Sequence, residues 1–450
     1  MERILTLLIA IFSIMQVACD DFVVIDQPRT EITRLSVFSE STTAEAAVVD
    51  LYVSIRDGFG GGSLGAITAV TALSSDELEL FDVSNDYVAV ANNEVTENNS
   101  IMESIWGSAY SVVYKANAIL EGLEVSNIDV TQKDRFKGEA LFVRALSYFY
   151  LVNLWGDVPL LTSTNHEVNH RALRAPIEQV YDQIVTDLLA ARELLPEEPE
   201  EGKTRASRAA AKALLARVYL YHRDWKNAEL EAAGVIDGKL YSLESDLSRV
   251  FSVFSSEAIL QLWNPIYPRE AVTFLIHPAL NRPLFGSLRF SYLDTFAPDD
   301  LRYGDWINVY STTTTTFFGA NKYKSLAAPP DDYSTVLRLA ELYLIRAEAL
   351  AQQGDLTGAA EALNIVRDRA GLLPVAAATR EEMLEAIYLE RKHEFFAEQG
   401  HRWLDLKRTG LADSVLSQLK PTWDHEDQLY PIPASQITGN PNIVQNPLGS

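Results

Sequence analysis

The sequence predicts a mainly α-helical chain in which helical hairpins repeat and a loop-rich insertion interrupts them. Three observations lead there. Apolar residues recur at steps of three and four along most of the chain. Two stretches, "AAKALLARVYLYHRDWKNAELEAAGVI" and "LAELYLIRAEALAQQGDLTGAAEALNIV", share one pattern. Between them, from about 241 to 335, the texture changes to proline, aromatic residues and short β-like runs.

Composition narrows the function classes. With 450 residues, 47% hydrophobic and 22% charged, the chain has the make-up of a folded protein with a large core. A formal charge of -24 leaves no basic excess to displace phosphate counterions, so no nucleic-acid partner is expected, and an anionic membrane surface repels it. Cys19 is the single cysteine, so no intrachain disulfide is available and packing must supply the stability.

The chain opens as an export leader over residues 1–18. Arg3 gives a small positive region, Ile4 to Ile14 an apolar run too short to span a bilayer, and Val17-Ala18 a small-residue approach to Cys19. A leader ending on cysteine points to a lipoprotein cut before Cys19, whose thiol takes a diacylglycerol; the alternative is an ordinary secretory leader with an incidental cysteine. Residues 19–42, with Pro28 and several Asp, Ser and Thr, read as an extended tether, and 43–450 as one domain. "TAEAAVVDLYVSIRDG" follows as a helix with Thr43 as N-cap and Gly58 as its stop. "IMESIWGSAYSVVYKANAILEGL" places Ile101, Ile105, Ala109, Val112, Ala116 and Ile119 on one stripe.

In "DRFKGEALFVRALSYFYLVNLWGDVPLL" the second half is apolar nearly all round, which predicts a central buried helix stopped by Gly156 and Pro159. "PIEQVYDQIVTDLLAARELLP" then starts with Pro176 in a first-turn position. Each of the two similar stretches gives a helix, a D-x-x-x-A turn (Asp224 to Ala228, Asp355 to Ala359) and a second Ala-rich helix. Small residues let antiparallel helices approach closely, which is the packing of tetratricopeptide-like hairpins, here degenerate and irregularly spaced. Within the insertion, the threonine run at 312–316 favours extended backbone.

Known catalytic signatures are sparse. Gly60, Gly62 and Gly65 match G-x-G-x-x-G with Asp82 further on, but a helix-like stretch precedes them where a dinucleotide site needs a strand. His393 and His401 are eight apart, unlike a metalloprotease pair, so no metal is expected, and no cofactor either. There is no G-x-S-x-G elbow and no P-loop. With 62 carboxylates an acid pair at glycosidase separation stays open, so an all-helical glycoside hydrolase is the enzyme alternative.

Aromatic and amide residues in two loop regions point to sugar binding, because a sugar offers a C–H face to a ring and hydroxyls to paired donors and acceptors. The candidates are Phe81, Asp82, Tyr87 and Asn92 in the first region, and Tyr292, Arg302, Tyr303, Trp306 and Tyr310 in the second. Trp306→Ala is expected to weaken binding and spare the fold, its ring lying in a loop.

The motifs together resemble the SusD/RagB family of Bacteroidetes outer-membrane lipoproteins. The resemblance rests on "EALFVRALSYFYLVNLWGDVPLL", on the two hairpin stretches, on "LERKHEFFAEQGHRWLDLKRTG" and on the ending "LYPIPASQITGNPNIVQNPLG". It implies a tetratricopeptide-like core with an irregular glycan-binding remainder. It also implies a cell-surface lipoprotein, anchored in the outer membrane through Cys19, that captures an oligosaccharide without cleaving it and delivers it to a SusC-like TonB-dependent transporter. A pure helical-repeat adaptor is the third reading. The residues Glu390, Arg391, Glu394, Glu398, Arg402, Asp405, Lys407 and Arg408 alternate in sign, which predicts a structural ion network tying the last helix to the core.

Overall fold

The computed structural model describes residues 34–58, 66–81, 84–197, 202–266, 268, 276–277, 282–283, 285–324 and 331–447. The leader, Cys19, the tether up to residue 33, the three glycines of the G-x-G-x-x-G match and Asp82 lie outside them. Where the tether enters the described part it is already structured. Arg34–Val37 is a helical turn, and Phe38 is buried against Gly122, where an added Cβ would stand 2.1 Å from the Phe38 ring. The next helix begins at Ser41, two residues before Thr43.

The helical body is a continuous stack. Its helices are α1 (Ser41–Gly58), α2 (Ala66–Ser74), α3 (Asn85–Asn92), α4 (Ser100–Glu124), α5 (Val130–Trp155), α6 (Ile177–Leu194), α7 (Arg208–Tyr221) and α8 (Trp225–Ile236). After the insertion, which contains α9 (Leu301–Trp306), come α10 (Leu339–Gln352), α11 (Leu356–Arg369), α12 (Arg380–Phe395) and α13 (His401–Arg408). Each of α4 to α7 packs on the next, α7 packs on α8, and α8 packs directly on α10 across the insertion. The two similar stretches are therefore neighbours in space although about a hundred residues apart in sequence. In the turns, Asp224 and Asp355 are the N-caps of α8 and α11, accepting from the Asn227 and Gly358 amides at 3.2 and 2.9 Å. Ala228 and Ala359, one turn on, are fully buried at the crossings with α7 and α10.

α5 is buried on nearly every side from Phe136 to Trp155, as its apolar run predicts. Its Arg144 is bound bidentately by Asp187 of α6 at 2.8 and 2.6 Å and donates to Asn117 of α4 at 2.7 Å, so one guanidinium joins three helices.

The insertion is built on short antiparallel pairs, one of which is completed by a strand from outside it. Strands β1 (Leu78–Leu80), β2 (Ala258–Leu262), β3 (Gly286–Leu288), β4 (Ile307–Ser311), β5 (Thr316–Ala320) and β6 (Ser334–Arg338) form the pairs β1–β3, β2–β6 and β4–β5. The β2–β6 pair joins the entry of the insertion to its exit, which is why α8 and α10 can meet. The threonine run is not a strand along its length: Thr312 donates its amide to the Thr315 carbonyl at 2.8 Å, closing the β4–β5 hairpin, and only Thr316 is in β5. Among the described residues no helix is long and apolar enough to cross a membrane.

The expected charge network is present and largely buried, except that Lys407 donates to the Asn153 and Gln428 carbonyls and has no carboxylate partner among the described residues. Arg391 pairs with Asp405 at 2.8 Å, Arg402 with Asp76 at 2.7 Å, and Arg408 with Glu348 and Asp405 at 2.6 and 2.7 Å. Glu394 receives Arg338 at 2.6 Å and Arg302 at 2.8 Å, and Arg338 also holds Glu257 and Glu398 at 2.8 Å each. Although burial works against its charge, the surrounding Arg369, Arg338 and Arg302 hold the Glu394 carboxyl well below the usual range.

Candidate functional site

The two aromatic loop regions meet at one end of the insertion. β1 and β3 pair with Leu80 opposite Gly286, a position where a Cβ would lie 2.6 Å from the Glu79 carbonyl oxygen, so glycine is what admits the close approach. The Phe81 amide then donates to the Phe285 carbonyl at 2.9 Å. Ser287 of β3 accepts from the Phe318 amide at 2.8 Å, which fixes the β4–β5 hairpin beside this pair.

In consequence Phe81 meets Phe317 edge to face at 5.3 Å, and Tyr87 of α3 meets Phe285 at 4.7 Å. Tyr310 is the cross-strand partner of Phe317, so the two rings share a face of the hairpin. Phe81, Tyr87, Tyr310 and Phe317 are half-buried. Asn92, at the end of α3, is exposed and donates to Glu94 at 3.1 Å.

Three of the sequence candidates are elsewhere, inside the core. Trp306 is fully buried, its Nε1 donating to the Leu247 carbonyl at 3.0 Å, with Phe251 and Phe396 around it and the Lys322 ammonium 4.6 Å from its ring centroid. Arg302 is fully buried among Asp300, Glu390 and Glu394 at 2.7 to 2.8 Å; burial alone would lower its pKa, but Glu390 and Asp300 raise it. Tyr292 is buried and donates to the Lys392 carbonyl at 2.5 Å. The physical reason is common to all three: each has its polar atom satisfied by protein and its apolar surface covered, so none is open to a ligand. Tyr303 is half-buried against Phe296 at 5.9 Å, on the core side. The expectation that Trp306→Ala spares the fold is thereby corrected.

The sequence reasoning missed a second ring platform. Among the described residues Trp263, just past β2, is the exposed tryptophan, 51% accessible. The Arg56 guanidinium lies 5.7 Å from its ring centroid and donates to the Trp263 carbonyl at 3.1 Å. Arg56 is fixed in turn by a bidentate pair with Asp57 at 2.8 and 2.9 Å. Trp263 and Arg56, together with Tyr52, Val53 and Arg205, bound a small hollow of about 200 Å³. An open indole face beside charged donors and acceptors is the chemistry a sugar ring needs. The available signal was the tryptophan immediately before the breaker "NP" at the end of an apolar run.

His393 accepts or shares a hydrogen bond with Thr295 at 3.0 Å and lies on Phe296, while His401 lies on Phe395; both are held well below their ordinary pKa, by burial first and then by nearby arginines and lysines. Among the described residues no three histidines, cysteines or carboxylates are grouped to hold a metal ion.

Two family models match the chain: one described as starch-binding associating with outer membrane, over residues 43–220, and the SusD family model, over residues 308–448. SusD-like protein P2 of Formosa agariphila is 26% identical, with 91% of this chain and 93% of that protein covered. The solved structure of a laminarin-binding SusD-like protein is similar at 27% identity, with a TM-score of 0.77 over 90% of this chain and 99% of that one. A SusD superfamily protein of Bacteroides vulgatus, 20% identical, shares the fold with a TM-score of 0.81 over 91% of this chain and 99% of its own.

Proposed function

The chain belongs to the SusD family, and from that premise we propose that it is a non-catalytic glycan-binding protein of the outer membrane, which captures an oligosaccharide and passes it to a SusC-like TonB-dependent transporter. In this reading Cys19 carries the lipid that anchors it, facing the cell exterior. The observation that carries the binding role is Trp263, exposed and flanked by Arg56 and Asp57. A sugar ring stacks on the indole, and the guanidinium and carboxylate reach its hydroxyls. The half-buried rings of Phe81, Tyr87 and Tyr310 offer a second surface of the same kind. The laminarin-binding relative and the starch-binding family model support a glucan or similar neutral polysaccharide as the first class to try.

The test is a panel of oligosaccharides, laminarin- and starch-derived included, measured by calorimetry with the wild type and with Trp263→Ala. The expected result is binding that weakens about tenfold in the variant, equivalent to ~1.4 kcal/mol. Unchanged affinity would move the site away from Trp263. Release of reducing ends would replace binding by hydrolysis, and binding to no glycan at all would favour the adaptor reading. Recovery of a TonB-dependent barrel with the tagged protein from outer-membrane extracts tests the delivery step.

A further inference from the structure

We propose that a cavity between the helical stack and the C-terminal segment is a second binding site, for a small carboxylate-bearing ligand whose counter-ion is Lys407. The end of α5, the first turns of α6, the end of α7, α13 and residues 425–429 bound a hollow of about 850 Å³ that opens to solvent, within the size range of small-molecule sites. It shares no residue with either ring platform described above.

Lys407 sets the chemistry. Its Nζ donates to the Asn153 carbonyl and, at 2.9 Å, to the Gln428 carbonyl, and it lies 5.3 Å from the Trp403 ring centroid. An ammonium has three donors, so one remains for a ligand. Its neighbours on α13 are neutralised, Arg402 by Asp76 and Arg408 by Glu348 and Asp405, whereas among the described residues Lys407 has no carboxylate partner. Lys407 is half-buried, and a cation partly withdrawn from water without a counter-charge is destabilised. Burial accordingly lowers the Lys407 pKa to about 7. A ligand carboxylate would supply the missing charge.

The remaining wall defines the rest of the ligand. Tyr181 and His222 stack at 5.0 Å and present a ring surface, and Ile177 and Leu404 are apolar. Arg223, exposed, adds a second cation whose Nη2 donates to the Arg408 carbonyl at 3.2 Å. The acidic groups here are Glu178, which is bonded to His222 at 2.6 Å, and Glu426, both exposed. His425 is engaged by Asp413 at 2.9 Å, and the hydroxyl of Tyr221 completes the titratable groups of the wall. One cationic end and ring or aliphatic sides fit a compact amphipathic monoanion. With a formal charge of -24 the molecule as a whole repels polyanions, which favours a single small acid.

Calorimetry on the full chain tests this with glucuronate and benzoate as the acidic sugar and aromatic acid, against glucose and benzyl alcohol as neutral counterparts. The expected result is that at least one carboxylate binds, its neutral counterpart at least tenfold more weakly, and that its affinity falls at least tenfold between pH 6 and pH 9 as Lys407 loses its proton. Lys407→Met should abolish binding. Because Lys407 also holds two carbonyls, Arg223→Asn is the second variant: asparagine accepts the φ of 61° found there, so the fold is kept while binding weakens several-fold. Binding of neither acid at millimolar concentration, equal binding of the neutral counterparts, or wild-type affinity in both variants overturns the proposal. Trp263→Ala should leave carboxylate binding unchanged, which separates this site from the glycan platform.

Discussion

Trp306→Ala is the sharpest test of where the insertion keeps its core. The indole is fully buried, ringed by Phe251 at 5.8 Å and Phe396 at 6.3 Å, and its Nε1 donates to Leu247. Truncating a buried tryptophan to alanine costs about 3–5 kcal/mol in lost transfer and cavity. The orphaned Leu247 carbonyl adds about 1 kcal/mol, and the Lys322 ammonium loses the ring it faces. The total, about 4–6 kcal/mol, is comparable with the whole stability of many domains. Urea unfolding followed by circular dichroism should show the midpoint falling by about 2 M if the slope is about 2–3 kcal/mol per M. Trp263→Ala, at an exposed site, should move stability by no more than about 0.5 kcal/mol. A Trp306→Ala protein with an unchanged midpoint and lost glycan binding would refute the burial argument and return Trp306 to the ligand site.

Three further outcomes follow from buried groups. Arg144→Met strands the Asp187 carboxylate among three helices and should cost about 3–5 kcal/mol in denaturant unfolding, most of it recovered when Asp187→Leu is added; no recovery would mean that the pair is not the cause. Glu77 is raised from 4.5 to about 8, by burial first and then by Asp76. The folded protein therefore keeps a proton that the unfolded chain has released, so this group's contribution is complete below pH 4.5 and is lost as pH rises through about 8. Glu77→Gln, which keeps an oxygen for the Ala397 amide, should flatten the fall in melting temperature between pH 5.5 and 8.5, and an unaltered slope would count against it. Gly122→Ala drives a Cβ to 2.1 Å from the Phe38 ring and should cost about 1–3 kcal/mol, relieved by Phe38→Ala in the same chain; a harmless Gly122→Ala would show that Phe38 does not dock there.

The helical hairpins were legible because local chemistry writes them twice. An aspartate N-cap and a small residue one turn later appear in both copies, and the structure uses both in the same way. The adjacency of the two copies was not legible, since it depends on β2 pairing with β6 across the insertion, a long-range closure that no periodicity records. The ring-bearing sites were legible only as composition. Trp306 and Trp263 both sit in loop-like sequence, and only the fold decides that one closes a core and the other stands open. Arg302 was misplaced for a related reason: its carboxylates come from residue 300 and from Glu390 and Glu394, about ninety positions away.

The ion network explains why the strongest motifs say least about the ligand. Arg338, at the end of the insertion, is held by Glu257 near its first strand, by Glu394 in the last turn of α12 and by Glu398 just beyond it. Lys322 donates to Glu398 and to the Glu394 carbonyl, the latter at 2.7 Å. Breaking any one of these contacts leaves a buried charge uncompensated, so the residues that make them are fixed by the scaffold. What the network clamps is the base of the insertion, while Trp263 and the β4–β5 turn are exposed on it. Side chains on such tips can change without a penalty to the core, so the chemistry that chooses a sugar is carried where sequence is least constrained by folding.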